Sequence, residues 1–371
     1  MIIFAILACS EHSLFSEKGN NDFADTSESI LENNQEEPSL DPQDDPDNPT
    51  SEPTDEPSEP TNEPSEPTDE PLGSLDGQIC DTTGNGWIIG AIISLQSTDG
   101  ENIFHTITDQ NGEFSLEGVP FGTYTLHVEK GSFEATETII IDQAHQSLDN
   151  GLCLDPQSAK IAVVSGTYDE IEEILESLTI PYDEYDSFSE SSYLSLLRNP
   201  QLLNSYDIVF FNCGFGTQAQ WEPYQAEIAE NLQLFVAHGG SMYASDWAYP
   251  IFESTFPDAV DFLDDDQDTF DVHNGISGTY TATVEDPILQ YIVGSSTSIT
   301  FDNSSWAVME ESNGHVLLSG DVETWSGTMY NIPLAVRYSH GFGQALFTSF
   351  HNDAQITATM EAILTEFIYS L

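Results

Sequence analysis

Positively charged side chains are nearly absent from this sequence. The chain of 371 residues has five Lys and Arg residues against 65 Asp and Glu residues, and its formal net charge is -60. Such a negative field repels the phosphates of nucleic acids and anionic lipid headgroups, so we exclude nucleic-acid binding. Two explanations of the acidity stay open: a high-salt environment in which cations screen the self-repulsion, or a highly soluble exported protein.

Two motif classes and long apolar runs are also missing. No stretch reaches the roughly 20 apolar residues that a transmembrane helix requires. The nine His residues include no H-E-x-x-H pair, which argues against a zinc protease. No serine lies in a G-x-S-x-G motif, which argues against the nucleophile turn of an α/β-hydrolase.

Cysteine is scarce, and the first of the four cysteines follows a short apolar segment. Residues 1–8 read MIIFAILA, and residues 6–9 read ILAC. This resembles a bacterial lipobox, in which the cysteine is lipidated and becomes the mature N-terminus. The resemblance implies that residues 1–9 are a lipoprotein-type signal segment and that Cys9 anchors the protein to a membrane of the bacterial cell envelope. A truncated ordinary signal peptide is the alternative.

Residues 10–74 are predicted to form a disordered, acidic, proline-rich linker. Large apolar residues are sparse there, and the repeats SEPTDEP, SEPTNEP and SEPTDEP run from Ser51 to Pro71. Proline at this density excludes helix, and the acidic residues repel one another and extend the chain. The linker is therefore interpreted as a spacer, with a glycosylated stalk as the alternative.

Residues 75–155 show short apolar alternations broken by turn residues, a pattern typical of a small all-β sandwich. Asn111 and Gly112 tolerate positive φ and predict a β-hairpin between two of the strands. Cys80 lies in the first predicted strand and Cys153 just beyond the last. In an exported protein this placement predicts a disulfide that closes the sandwich, with two free cysteines as the alternative.

The same segment resembles the carboxypeptidase regulatory-like, or transthyretin-like, domain. The similarity is carried by TDQNGEF at Thr108 to Phe114, by LEGVPFGTYTLHVEKGSF at Leu116 to Phe133, and by the preceding GQICDTTGNGWIIGAIISL. The resemblance implies a seven-stranded sandwich without catalytic residues, used as a spacer or adhesion module.

Residues 158–371 alternate between apolar strand segments and helical segments. This predicts a three-layer α/β domain with a mostly parallel, flavodoxin-like sheet. Residues 258–340 are less regular and are interpreted as an insertion or an antiparallel extension. In open α/β sheets, ligands bind beyond the carboxyl ends of the strands. Three such ends are predicted at Ser165-Gly166, Cys213-Gly214 and Ser245-Asp246.

Three motifs in this part resemble the class I glutamine amidotransferase-like superfamily, and its trehalose-utilisation-protein-like branch in particular. They are YDIVFFNCGFG, LQLFVAHGGSMYASDWAY and GFGQALFTSFHND. Active members of the family carry a nucleophilic Cys in a strained turn at a helix N-terminus. The matching positions here are Ser245 and Asp246, followed by Trp247, so the nucleophile is absent. His351 and Asp353 keep the His-x-acid spacing of the strand that delivers the catalytic His.

The resemblance predicts a set of site residues. Catalytic candidates are His351, Asp246, Ser245 and Asp353, and the predicted ligand-binding residues are Gly214, Phe215, Gly216, Asp246, Trp247, His351 and Asn352. Each has a structural alternative, because Asp246 can cap the following helix and His351 can simply close a strand. For Cys213, both a buried structural role and a nucleophilic role stay open.

One acidic loop is a candidate calcium site. Asp264, Asp266 and Asp268 alternate as at the start of an EF-hand loop, but Thr269 and Gly275 stand where that motif needs Gly and Glu. A solvated acidic loop is the alternative, and no other cofactor is predicted.

We therefore expect a membrane-anchored lipoprotein of the cell envelope, periplasmic or surface-exposed. It would display a degenerate amidotransferase-like domain that binds a small polar ligand, carbohydrate being one candidate, without hydrolysing glutamine. Two other functions stay open. One is a hydrolase using His351 with Asp246 or Ser245, and the other is a structural module for an envelope partner.

Overall fold

A computed structural model describes residues 71–100, 103–148, 150–263, 270–352 and 356–371. All of them belong to one compact unit. Several predicted features lie outside the described residues: Cys9, the linker repeats, Asp264, Asp266, Asp268 and Asp353. None of the helices in the described ranges combines the length and the apolar character that a membrane span requires.

The first part of the described chain is a sandwich of two four-stranded sheets. Its strands are β1 (Leu72–Cys80), β2 (Ile92–Ser97), β3 (Ile103–Ile107), β4 (Glu113–Pro120), β5 (Gly122–Lys130), β6 (Phe133–Ile141), β7 (Gln146–Ser147) and β8 (Leu152–Cys153). One sheet has the order β4-β1-β7, with β8 also paired to β1, and the other has the order β3-β2-β5-β6. In β5, Tyr124, Leu126 and Val128 alternate into the core, as one-sided burial requires.

Two predictions about the sandwich have different outcomes. The disulfide is confirmed, because Cys80 and Cys153 are bonded where β1 and β8 pair. The predicted hairpin is wrong. Asn111 and Gly112 form a turn in which Gly112 has φ +73°, but β3 pairs with β2 and β4 pairs with β1. The turn therefore carries the chain from one sheet to the other.

The second part contains an eleven-stranded sheet, a separate two-stranded sheet formed by β13 and β18, and all the helices among the described residues. Its strands are β9 (Ile161–Val164), β10 (Tyr182–Tyr185), β11 (Ile208–Phe211), β12 (Ser241–Ser245), β13 (Val260–Asp261), β14 (His273–Gly275), β15 (Gly278–Val284), β16 (Ser296–Phe301), β17 (Trp306–Val308), β18 (Glu311–Ser312), β19 (His315–Thr324), β20 (Gly327–His340) and β21 (Gly343–Thr348). Its α-helices are α1 (Ile171–Ser177), α2 (Glu190–Leu197), α3 (Pro200–Leu203), α4 (Gln218–Trp221), α5 (Gln225–Ala237), α6 (Tyr249–Thr255), α7 (Pro287–Val293) and α8 (Ala358–Ser370).

This sheet corrects the predicted fold class. The strand order is β10-β9-β11-β12-β21-β20-β19-β14-β17, with β15 and β16 branching from β19. Pairing is parallel from β10 to β21 and antiparallel from β21 onward. The described residues are mostly β, with 42% in strands and 24% in helices, so a mostly parallel, flavodoxin-like sheet is wrong. The cause is the segment from β14 to β20, which adds antiparallel strands to the same sheet.

The sandwich packs directly on the C-terminal helix α8. Lys130 at the end of β5 forms an ion pair with Glu366, with Nζ 2.6 Å from Oε1. The rings of Phe133 and Tyr369 meet edge to face at 5.3 Å between centroids. These contacts are buried. Around them, buried hydrophobic residues from both parts form one continuous core.

Candidate functional site

Three adjacent parallel strands end at one buried polar cluster. Cys213 follows β11, Asp246 follows β12, and His351 follows β21. The side chains are fully or almost fully buried: Cys213 and Asp246 are 0% exposed and His351 is 2% exposed. Carboxyl ends of neighbouring parallel strands meet at the same edge of a sheet, so residues far apart in sequence come together there.

Asp246 is the central residue of this cluster. Its Oδ1 accepts a hydrogen bond from the Ala307 amide at 2.6 Å. Its Oδ2 accepts from the Cys213 thiol at 3.5 Å and lies 3.4 Å from His351 Nδ1. The carboxyl group does not cap a helix, because the cap positions belong to Ser245 and Ala248. Asp246 thus links the ends of β11 and β21 to the start of β17.

The backbone explains how Asp246 reaches this position. Ser245 ends β12 in an extended conformation, and Asp246 turns abruptly with φ +44° before a 3-10 helix, Asp246–Ala248. Positive φ is uncommon outside glycine, but Asp is one of the residues that tolerate it. The chain therefore turns sharply after β12, with a carboxyl group at the tip of the turn.

Ser245 faces a second carboxyl group. Its hydroxyl donates a short hydrogen bond to Asp169 Oδ2. The other oxygen of Asp169 accepts from the backbone amide of Asn352 at 3.1 Å. The partner of the Ser245 hydroxyl is therefore Asp169, a residue that the sequence analysis did not identify.

Burial raises the pKa values of three groups in the cluster. The pKa of Asp169 rises to about 7, because burial outweighs the stabilising hydrogen bond from Ser245. The pKa of Asp246 rises to about 8 for the same reason, although the Ala307 amide opposes the shift. Burial and the neighbouring Asp246 also raise the pKa of the Cys213 thiol. Both carboxyl groups and the thiol therefore tend to hold their protons near neutral pH.

The remaining predicted ligand-binding residues lie around the cluster with different exposures. Phe215 is buried and stacks on Trp221, so its ring belongs to the core. Gly214 and Gly216 are half-buried with positive φ. Trp247 is half-buried, and its Nε1 donates to the Ser305 carbonyl at 3.3 Å.

Asn352 is also engaged with the protein. Its side-chain amide donates to the Glu170 carbonyl at 2.5 Å, and its backbone amide contacts Asp169. This places Asn352 between β21 and the segment after β9. It acts as a link within the site in this structure.

Sequence reasoning missed one member of the cluster, Asp169, and one contact, that of Cys213 with Asp246. Asp169 follows β9 by five residues, so the strand-end rule applied to that first strand was the available signal. Cys213 was recognised at a strand end, and the structure shows that it is a buried free cysteine. Its contact with Asp246 was not anticipated, because the order of strands in the sheet was unknown.

Three of these side chains can converge on a metal ion. The ligand atoms of Cys213, Asp246 and His351 all lie within 4.8 Å of one another. The proposed calcium ligands Asp264, Asp266 and Asp268 lie outside the described residues, as does Asp353.

Comparison with protein-family models identifies the first part of the chain. Residues 74–149 match the model of the carboxypeptidase regulatory-like domain. The chain contains a carboxypeptidase regulatory-like domain. The match covers the sandwich and leaves the polar cluster outside it. No curated protein matches the sequence.

Several solved structures are similar to parts of the chain. BcpA, the major pilin subunit of Bacillus cereus, aligns with 14% identity over 23% of this chain and 30% of its own length, with a TM-score of 0.19. A β-galactosidase from Bacillus circulans sp. alkalophilus aligns with 14% identity over 57% of this chain and 30% of its own, with a TM-score of 0.33. A cytoplasmic protein of Salmonella typhimurium aligns with 12% identity over 57% of this chain and 98% of its own, with a TM-score of 0.34. At this level none of them indicates a function.

Proposed function

We propose that this chain is a cell-envelope protein that binds a small polar ligand at the carboxyl ends of β11, β12 and β21 and does not hydrolyse glutamine. The observation that carries the proposal is the convergence of Cys213, Asp246 and His351 in one buried cluster. Burying such groups costs free energy unless they are paired, and perturbed groups of this kind concentrate at functional sites. A core built only for stability would place apolar side chains there.

The chemistry of the turn supports binding over amide hydrolysis. In the proposed amidotransferase-like arrangement a thiolate would occupy the strained turn, but Asp246 occupies it here. A carboxyl group whose pKa is raised to about 8 by burial is a poor nucleophile near neutral pH. The nearby Cys213 thiol also resists ionisation, and it is the thiolate that attacks.

A hydrolase is a second candidate, and one contact favours it. His351 Nδ1 lies 3.4 Å from Asp246 Oδ2, an arrangement in which the carboxyl group can orient an imidazole base. Ser245 is less suitable as its nucleophile, because the Ser245 hydroxyl donates to Asp169. Such an enzyme would therefore use His351 with Asp246 to activate water.

Export to the envelope is supported by the disulfide. Cys80 and Cys153 are bonded in a domain of ordinary size, and such bonds persist in oxidising compartments. We propose that lipidated Cys9 and the acidic repeats hold the described part away from a membrane. The carboxypeptidase regulatory-like domain then joins the linker to the ligand-binding part.

A thermal-shift screen of the full chain against sugars and primary amides tests the proposal. A ligand at 100 times its dissociation constant stabilises a protein by about 2.7 kcal/mol. We expect a shift that disappears in His351→Ala and Asp246→Asn and persists in His315→Ala, an exposed histidine of β19 that serves as the matched control.

Three outcomes discriminate among the functions. Ammonia release from glutamine that depends on Asp246 or Cys213 would overturn the proposal. Turnover of another substrate, lost in His351→Ala, would favour the hydrolase. A well-folded protein that no compound stabilises would favour an interaction module.

A further inference from the structure

We propose that Cys213, Asp246 and His351 bind a divalent transition-metal ion, with Zn²⁺ the best match. The proposal deepens the function proposed above, because it names a ligand class for the same site. It concerns residues from three neighbouring strand ends and no residue of the acidic loop at 264–268.

Two of the three distances between the donors match those of a tetrahedral zinc site, and all three ligand atoms lie within 4.8 Å of one another. Cys213 Sγ lies 3.5 Å from Asp246 Oδ2, and His351 Nδ1 lies 3.4 Å from the same oxygen. Zinc bonds of about 2.3 Å to sulfur and about 2.0 Å to nitrogen and oxygen, at tetrahedral angles, place S and O roughly 3.5 Å apart and N and O roughly 3.3 Å apart. An ion can therefore join Asp246 to each of the other two donors at distances close to those in the structure.

The surrounding structure orients the ligands. Cys213, Asp246 and His351 follow β11, β12 and β21, which are neighbours in the parallel half of the sheet. The Ala307 amide holds Asp246 Oδ1 and turns Oδ2 toward the other two donors. Outer contacts of this kind fix the carboxylate of a metal site and are part of its affinity.

The donor set selects the class of metal. A thiolate and an imidazole are soft or intermediate ligands that suit Zn²⁺ and similar ions, whereas Ca²⁺ and Mg²⁺ prefer sets of oxygen atoms. One thiolate and one carboxylate together neutralise a divalent ion, so the occupied site would carry no net buried charge. Binding exchanges the thiol proton, and the carboxyl proton where one is present, for the ion.

Three protein ligands also leave a fourth tetrahedral position. Structural zinc sites are usually closed by four protein ligands, whereas sites that act on a ligand keep one position open. The fourth position here would receive water or a donor atom of the polar ligand. The open position would connect the metal to the proposed binding function, but the metal site does not depend on that function.

Cobalt substitution of the full chain tests the metal site. The background variant Cys9→Ser removes the other cysteine thiol, so only Cys213 can supply a cobalt-thiolate charge-transfer band in the near ultraviolet. We expect one equivalent of zinc by elemental analysis after expression in zinc-supplemented medium, and the cobalt band after exchange. Cys213→Ser should remove the band, and His351→Gln should weaken binding by at least tenfold. The exposed control Asp258→Asn should change neither.

The cobalt-thiolate band distinguishes binding at Cys213 from non-specific binding of cations to carboxylates. A chain with a formal net charge of -60 attracts cations to many carboxylates, but oxygen ligands alone give no thiolate band. A missing band in the Cys9→Ser background, or a band that survives Cys213→Ser, overturns the proposal. If Cys213→Ser does not fold by circular dichroism, Cys213→Ala provides the same comparison.

The metal site and the polar-ligand function can be contradicted independently of each other. The sugar and amide screen is run on chelator-treated protein and on zinc-loaded protein. A cobalt band without any stabilising polar compound upholds the metal and overturns the polar-ligand function. Stabilisation by a polar compound without a cobalt band does the reverse.

Discussion

The burial of Asp169 is the clearest departure from what the neighbouring sequence indicates. This residue lies in a polar segment after β9, yet it is 2% exposed and contacts Ser245 and the Asn352 amide. Its carboxyl group is thus a link between the ends of β12 and β21. Because its pKa is raised by burial, the link also makes stability depend on pH.

We predict that stability falls as the pH rises toward neutral, and that Asp169→Asn reduces this loss. The pKa of Asp169 is about 7 in the folded state against an ordinary value of 3.8. A raised pKa means that Asp169 binds its proton more tightly in the folded state than in the unfolded state. The contribution of Asp169 to stability is fully present below about pH 4 and is lost as the pH rises through about 7. Within that window, the free energy of unfolding falls by about 1.4 kcal/mol for each increase of one in pH.

Urea unfolding of chelator-treated protein between pH 4 and pH 8 measures the effect. Asn is nearly isosteric. Its Oδ1 can still accept from the Asn352 amide, and its Nδ2 can donate to the Ser245 hydroxyl oxygen, so the variant should fold and show a flatter profile than the parent. Asp258→Asn, an exposed carboxyl group, should leave the profile unchanged. Identical profiles for Asp169→Asn and its parent would contradict a raised pKa at Asp169.

Part of the buried polar cluster was predicted from the sequence. His351 and Asp246 were recognised from two short motifs, because a strand end followed by a turn is a local pattern. The contacts of Asp246 with Cys213 and of Ser245 with Asp169 join residues 33 and 76 positions apart. Such contacts follow from the order of strands in the sheet, which no local pattern contains.

Among the elements, β5 and α8 form one of the contacts that join the sandwich to the rest of the described chain. Lys130 is 6% exposed and Glu366 is 9% exposed. Lys130 also donates to the Ile89 carbonyl at 3.0 Å, so its charge is held by two acceptors. Burial raises the pKa of Glu366, although Lys130 opposes the shift. The ion pair therefore lies in a region where an unpaired charge would be costly.

We predict that Lys130→Met destabilises the protein by about 3 kcal/mol, because it leaves a buried carboxyl group without its cation. The double variant Lys130→Met and Glu366→Leu should recover at least half of this loss, since apolar side chains can replace a buried pair. Unfolding in urea at pH 7 gives the free energies.

The exposed pair Arg198 and Glu227 provides the control. Its side chains are 39% and 46% exposed, so Arg198→Met should cost about 1 kcal/mol or less. Equal losses for Lys130→Met and Arg198→Met would contradict the structural importance of the buried pair. So would a double variant that is no more stable than the single one.

Strand segments were predicted better than the strands with which they pair. The segments that became β9, β11 and β12 were recognised as buried strands, and their pairing is parallel. In β20 the run Ile332–Val336 is equally buried, but its partners are antiparallel. A strand covered on both faces gives a continuous apolar run in either case, so the pattern does not indicate direction. The Asn111-Gly112 turn failed as a hairpin for a similar reason, because turn chemistry does not determine which sheet the next strand joins.

For the whole molecule, the scarcity of cations matters most. Each cation in the described part of the chain is engaged: Lys130 with Glu366, Lys160 with Ser205, Arg198 with Glu227 and Arg337 with Ser370. The five Lys and Arg residues cannot balance 65 acidic residues. Most acidic side chains therefore depend on ions from the solvent for neutralisation.

We predict that salt stabilises the protein strongly. Repulsion among exposed carboxylates acts over about 30 Å at 0.01 M salt and over about 3 Å at 1 M. Raising NaCl from 0.01 M to 1 M should therefore increase the free energy of unfolding by about 2 kcal/mol or more, or the melting temperature by about 5 °C. Thermal unfolding at pH 7.5 followed by circular dichroism measures the change.

The nature of the cation separates general screening from specific binding. Tetramethylammonium chloride at the same ionic strength screens charge but coordinates carboxylates poorly, so equal stabilisation by both salts indicates screening. Stabilisation by Na⁺ alone would indicate bound cations, which a dense array of carboxylates can also attract. A melting temperature that stays constant between 0.01 M and 1 M of either salt would contradict the prediction. It would leave solubility as the explanation of the acidic composition, since self-repulsion would then be too weak to affect folding.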